Sequence, residues 1–100
     1  LFHIGGHTDG LQAVRVKTKR GFVMVASDAC HLYANMETEN PFPVLFIKED
    51  VLAGYGRLKE LADSPDHIVP GHDPAVMDRY PAVSEALEGI AIRLDVNPAE

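Results

Sequence analysis

Cysteine, long apolar runs and basic residues are all scarce in this sequence. The 100 residues include one cysteine, Cys30, so no disulfide can form within the chain. No apolar run approaches the roughly 18 residues that a membrane-spanning helix needs, and we expect no membrane partner. Nine Lys and Arg against 15 Asp and Glu give a net charge of −6. Since phosphates attract clustered basic residues, this balance argues against a nucleic-acid partner, and we interpret Lys17–Arg20 as a solvated turn.

A signal-peptide pattern and an initiator methionine are also missing, because the chain begins at Leu1-Phe2. We therefore expect a segment of a longer polypeptide that forms one small domain or part of one. The lone cysteine suits a reducing compartment, which favours a cytoplasmic location. The composition is otherwise typical of a folded chain, with 46% hydrophobic and 24% charged residues.

Two strands are predicted in the first third of the chain. Val14 and Val16 alternate with Arg and Lys along residues 11–18, which predicts a strand with one solvated face. Residues 22–26 form a continuous apolar run, which is typical of a strand buried on both faces. Gly21 lies between them, and we expect it to supply the backbone freedom of a hairpin turn.

The second half of the chain predicts a helix followed by shorter elements. Apolar residues recur every three or four positions over residues 48–62, which indicates an amphipathic helix. Residues 67–69 predict a short buried strand, and Pro81 is expected to open a helical turn that continues to Leu87. Alternating apolar residues over 90–94 predict a terminal strand. The chain is therefore expected to have a mixed α/β fold.

Three short strings carry the candidate chemistry, and each lies where a strand is expected to end. They are Gly6-His7-Thr8-Asp9-Gly10, Ser27-Asp28-Ala29 and Pro70-Gly71-His72-Asp73. Histidine nitrogens and carboxylate oxygens are the ligands of hydrolytic zinc sites, and the two oxygens of a carboxylate can bridge two cations. We therefore predict that His7, Asp28 and His72 form half of a two-metal site.

The segment from Gly6 to Asp73 resembles the C-terminal half of a metallo-β-lactamase-fold hydrolase. It carries Gly-His-Thr, a hairpin, an apolar strand ending in Asp, a helix and a strand ending in Gly-His. Residues 27–36 and 70–73 are most similar to the N-acyl-homoserine-lactone lactonases of that superfamily. The resemblance implies an αββα sandwich, of which residues 1–100 would form the C-terminal half. It also implies a metal-dependent hydrolase of lactones, above all of N-acyl-homoserine lactones, which is a quorum-quenching activity.

The same resemblance implies roles for particular residues. His7 would ligate one divalent ion, His72 would ligate the other and Asp28 would bridge both, with zinc as the expected metal. Hydroxide held by the two ions would attack the ester-type carbonyl, so Asp28 also counts as catalytic. The lactonases commonly carry a Tyr three residues after this Asp that contacts the substrate carbonyl. That position is His31 in this chain, with Tyr33 two residues further on, and we expect these two to stabilise the oxyanion.

One motif of the superfamily is absent from these residues. The His-x-His-x-Asp-His motif, which supplies most of the remaining ligands, does not occur in the sequence. Three ligands shared between two ions would leave each under-coordinated. We therefore expect the isolated chain to bind metal weakly and to hydrolyse little. Phe42 and Phe46, in an apolar loop, are candidates to line an acyl-chain pocket.

Two alternatives stay open from the sequence. The same site would serve a thioester substrate, as in relatives of glyoxalase II, although residues 30–47 are poor in Lys and Arg. The chain would otherwise be a non-catalytic fragment that needs a partner chain or self-associates through an exposed sheet face. We interpret His67 as a structural histidine and Cys30 as a small buried side chain.

Overall fold

A four-stranded sheet forms the centre of the fold. The computed structural model describes residues 1–41, 43 and 47–99. Each strand pairs with the next along the chain, the first two pairings being antiparallel and the last parallel. In their order across the sheet, the strands are β1 (Phe2–His3), β2 (Gln12–Thr18), β3 (Gly21–Ser27) and β4 (Ile68–Pro70). Because β3 and β4 are parallel, their C-terminal ends meet at one edge of the sheet.

The hairpin of β2 and β3 confirms the two predicted strands and their turn. Gly21 adopts a φ of +114°, a conformation that side chains rarely allow. The charged face of β2 is covered at Ala13 and Arg15, however, and is exposed only towards Lys17. Val14 and Val16 are 40% and 42% exposed, whereas Arg15 donates from Nε to the Leu61 carbonyl at 2.8 Å. The alternation therefore predicted the strand correctly, but the packing of the neighbouring helix decides which face is covered.

The connection from β3 to β4 contains the main helix. Helix α2 (Lys48–Leu61) confirms the helix predicted over 48–62 and follows a shorter helix, α1 (Tyr33–Glu37). Acidic residues in the first turn of α2 and Lys59 in its last turn complement the helix dipole. The helix packs on the sheet face of Met24 and Ile68 through residues three or four positions apart, namely Val51, Tyr55, Leu58 and Leu61.

The opposite face of the sheet is covered only in part. Successive residues of a strand point to opposite faces, so Val23 lies on the other side of the sheet from Met24. Val23 and Val69 pack there with Tyr80 and the partly buried side chains of the C-terminal segment. Val14 and Val16 on β2 extend this face beyond that cover, which leaves an apolar strip exposed.

The C-terminal region differs from the predicted helix and strand. Helix α3 (Ala75–Arg79) lies before Pro81, and among the described residues that follow it there is one 3₁₀ turn, at Glu85–Leu87. The terminal strand expected over 90–94 is reduced to a single bridge between Ala82 and Ile92. An alternating pattern yields a strand only where a partner strand offers hydrogen bonds, and within the described residues this segment has that one bridge.

Arg20 fastens the C-terminal segment and is not the solvated turn residue expected from the sequence. Its Nε donates to the Leu94 carbonyl at 2.9 Å, and its Nη2 donates to the Tyr80 hydroxyl at 2.8 Å. The guanidinium also faces the Tyr80 ring, 5.3 Å from its centre. These contacts hold the chain end across the sheet.

No helix among the described residues has the length and apolar character to cross a membrane. Phe42 and Phe46, the candidates for an acyl-chain pocket, lie outside the described residues.

Candidate metal centre

Two loops that follow β3 and β4 approach each other closely at one edge of the sheet. Asp28 comes directly after Ser27, whose φ of +52° turns the chain sharply at the end of β3. A Cβ atom on Gly71 would lie 2.5 Å from the Ser27 carbonyl oxygen, so only glycine fits there. The Gly71 amide donates to the Cys30 carbonyl at 2.9 Å. This close approach fixes the positions of the two loops relative to each other, and therefore also the position of Asp28.

A third loop, between β1 and β2, carries His7 to the same place. Gly6 has a φ of +90°, and a Cβ atom on it would lie 2.6 Å from the Val51 amide nitrogen in α2. Its carbonyl accepts the Ile47 amide at 2.9 Å, which ties the loop to the start of that helix. His3 donates from Nε2 to the Asp9 carbonyl at 2.6 Å and so braces the loop. His3 is thereby a structural residue of the loop.

Three imidazoles surround the Asp28 carboxylate. His72 Nε2 lies 2.7 Å from Oδ1, His7 Nε2 lies 3.4 Å from Oδ2, and His31 Nε2 lies 3.7 Å from Oδ1. The structure thus brings together His7, Asp28 and His72 from their three loops. It also places His31, the predicted oxyanion donor, in the same cluster, with its ring centre 5.0 Å from that of His7 and 5.1 Å from that of His72.

His31 is the most enclosed of the three histidines. Its side chain is 14% exposed, against 19% for His7 and 62% for His72. Burial lowers the pKa of His31 below its ordinary value, and the charge of Asp28 opposes this only in part. The neutral imidazole, which is the form that ligates metals, is therefore favoured at neutral pH.

The residues of the cluster fit a divalent ion of the zinc type. One donor atom from each of His7, Asp28 and His31 lies within 4.8 Å of the other two. Two imidazoles and a carboxylate are a common donor set of catalytic zinc, which leaves a fourth position open. Loops fixed at a sheet edge supply the rigid frame that ligands require.

Tyr33 does not join this cluster through any contact of the described residues. Its ring lies under the Arg79 guanidinium, 3.8 Å from the ring centre. Burial raises the pKa of its hydroxyl, which disfavours ionisation. Its amide donates to Asp73 Oδ2 at 3.1 Å, while Asp73 Oδ1 accepts the Ala75 amide at 2.9 Å. Asp73 therefore joins the two loops and starts α3, and the structure places Tyr33 against Arg79.

His67 and Cys30 have the structural roles interpreted from the sequence. His67 donates from Nε2 to the Arg20 carbonyl at 2.7 Å and accepts from the Ser64 hydroxyl at Nδ1, at 2.6 Å. These two bonds satisfy both ring nitrogens. Cys30 is fully buried beneath the site and donates from Sγ to the Leu32 carbonyl at 3.2 Å.

Cys30 is expected to resist thiol reagents in the folded chain. Burial raises the pKa of its thiol to about 11, so about 0.1% is thiolate at pH 8, and the thiolate is the reactive form. We expect Ellman's reagent to label the native chain at least about 100-fold more slowly than the chain unfolded in urea. Equal labelling rates with and without urea would contradict the burial of this side chain.

The sheet, its helices and the Asp-centred histidine cluster define part of a metallo-β-lactamase fold with a candidate metal centre. No family model matches the chain. A curated N-acyl homoserine lactonase from Bacillus sp. is 40% identical over 75 residues, which cover 73% of this chain and 30% of that protein.

Solved structures show the same similarity. An N-acyl homoserine lactone hydrolase with N-hexanoyl-L-homoserine bound at its catalytic metal center matches with a TM-score of 0.67 and 32% identity, over 78% of this chain and 32% of that one. An AiiA mutant from B. thuringiensis with N-decanoyl-L-homoserine bound at its active site matches with the same TM-score, identity and coverage. The chain thus spans about a third of the length of these relatives. The resemblance to the lactonases and the α/β fold class are confirmed.

Proposed function

We propose that this chain is a C-terminal part of a metal-dependent hydrolase of N-acyl-homoserine lactones. The observation that carries the proposal is the convergence of His7, Asp28 and His72 from three loops at one edge of the sheet. The likeness to proteins named as lactonases and lactone hydrolases supports the substrate class. Those names give no support to a thioester substrate.

The geometry of the cluster suggests a separate role for each of its residues. Asp28 directs Oδ2 towards His7 and Oδ1 towards His72, an arrangement suited to bridging two ions, each with one imidazole. Two divalent ions, zinc being the best fit to these donors, would lower the pKa of water and polarise the lactone carbonyl. His31 lies beside Asp28 Oδ1 with its side chain mostly enclosed. Tyr33 has no part in this proposal, because its ring lies against Arg79.

The exposed valines of β2 support the view that further protein completes the fold. Val14 and Val16 lie on an apolar strip that the described part of the chain leaves partly exposed. The remaining metal ligands would come from the covering half, which agrees with the missing His-x-His-x-Asp-His motif. A second copy of this chain is the competing occupant of the same strip, and it would give dimers in size-exclusion chromatography. The unpaired Cys30 suits a cytoplasmic setting for the whole protein.

A chimera tests the proposed activity. The residues of this chain would replace the matching segment of the Bacillus lactonase, and hydrolysis of N-hexanoyl-homoserine lactone would be followed by chromatography. We expect turnover in the chimera and little in the isolated chain, because the isolated chain has too few ligands for two ions. The matched control is the chimera with Asp28→Ala, which should lose at least about 1,000-fold in rate.

Two results would count against the proposal. A chimera that folds and holds two metal ions, yet hydrolyses the lactone no faster than its Asp28→Ala version, would remove the lactonase assignment. Strong turnover and tight binding of two ions by the isolated chain would instead show that no second half is needed.

A further inference from the structure

His31 lies close enough to both His7 and Asp28 for the three side chains to share one ion. In a tetrahedral site with metal–ligand bonds of 2.0–2.2 Å, neighbouring ligand atoms are about 3.3–3.6 Å apart. His7 Nε2 lies 3.4 Å from Asp28 Oδ2 and His31 Nε2 lies 3.7 Å from Asp28 Oδ1, so the two imidazoles face different oxygens of the carboxylate. One donor atom from each of the three residues lies within 4.8 Å of the other two, a separation that a small closing movement around one ion would bring to this range. The contact with His72, at 2.7 Å, is shorter and has the length of a hydrogen bond to a carboxylate.

The position of His31 is fixed by backbone hydrogen bonds. Its carbonyl accepts the His72 amide at 2.9 Å, and the adjacent Cys30 carbonyl accepts the Gly71 amide at the same distance. Its side chain is mostly enclosed, with Nε2 turned towards Asp28. A ligand held in this way needs little rearrangement on binding, which favours affinity.

We propose that His7, Asp28 and His31 form a site for one divalent transition-metal ion within this chain, with His31 as a ligand and not as a donor to the substrate carbonyl. His72 then orients the carboxylate from outside the ligand set when this chain binds alone. The inference deepens the proposed function, on which it rests for the place of the metal centre. From the sequence we expected the isolated chain to bind metal weakly. The proposal instead gives the isolated chain a site for one ion, formed by its own residues.

Cobalt titration tests this assignment. Co²⁺ replaces zinc in such sites, and its visible absorption reports the ligands bound. We expect the wild-type chain to bind one Co²⁺, and both His31→Ala and His31→Tyr to raise the Kd about 100-fold and to change the spectrum. The tyrosine variant carries the side chain that the lactonases commonly have at this position and fills the space of the ring. His72→Ala should raise the Kd by about tenfold and keep the spectrum, since an outer partner is lost.

The control for adventitious histidine binding is His67→Gln, which removes an imidazole engaged with Ser64 and Arg20 and should leave the Kd unchanged. Circular dichroism of each variant checks the fold. Wild-type affinity and spectrum in the folded His31→Tyr chain would overturn the inference, and so would a wild-type chain that binds no Co²⁺. Either result leaves the chimera assay to decide on lactone hydrolysis, and an inactive chimera leaves the cobalt result intact.

Discussion

Replacing Gly6 by alanine is expected to lower the free energy of unfolding by about 3–5 kcal/mol. Two costs combine at this position. The φ of +90° is strained for a residue with a side chain, and the new methyl group would lie 2.6 Å from the Val51 amide nitrogen and 2.9 Å from the Asp50 carbonyl carbon. These are backbone atoms of α2, so a simple rotation of a side chain cannot relieve the contact. Urea unfolding followed by circular dichroism measures the change.

Gly10→Ala is the matched control, because it lies in the same loop. No atom lies within 4 Å of a Cβ built on Gly10, and its φ is outside the left-handed range. We expect a change within about 1 kcal/mol there, with stabilisation the more natural direction. Equal unfolding free energies for Gly6→Ala and Gly10→Ala would show that the loop of His7 does not pack on α2 as described.

Replacing Asp28 by asparagine is expected to weaken metal binding by at least about 100-fold. The substitution keeps the size of the side chain but removes the negative charge and one acceptor oxygen. Asp28 faces all three histidines, so an amide would have to present its NH₂ group to one of them. Isothermal titration with Zn²⁺ gives the affinity directly.

Asp73→Asn separates this effect from general loss of negative charge. Asp73 accepts the amides of Tyr33 and Ala75 and stands outside the donor cluster. We expect its substitution to change the zinc affinity by less than about threefold, because it alters the link between two loops and no ligand. A comparable loss of affinity in both variants would argue that Asp28 acts through long-range charge and not as a ligand.

Local sequence patterns were sufficient to predict the β2–β3 hairpin and helix α2. The turn at Gly21 and the apolar spacing of residues 48–62 each depend on neighbours along the chain, which sequence reasoning can read. Helix α3 has a local signal in Asp73, a candidate to cap a following turn, which precedes Pro74 and accepts the Ala75 amide. The strand predicted from the alternation over residues 90–94 was wrong, because strand formation needs a partner strand and the periodicity of one segment does not show whether a partner exists.

The candidate site likewise has one part that local sequence predicts and one part that depends on contacts between distant segments. His7, Asp28 and His72 were predictable as a group because each follows an expected strand end beside small or turn-forming residues. The place of His31 beside Asp28 follows from hydrogen bonds between the loops after β3 and β4, which are distant in sequence. The role of Arg20 depends likewise on Leu94 and Tyr80, and no local pattern of residues 17–20 indicates it.

The parallel pairing of β3 with β4 has a consequence for how the chain folds. The β2–β3 hairpin closes over a short turn and can form early, whereas β4 must return across the whole connection that contains α2. Asp28 and His72 are 44 residues apart and meet only after that return. We therefore expect the histidine cluster to assemble late in folding, so that an ion that needs it would bind the finished fold and draw the equilibrium away from partly folded chains.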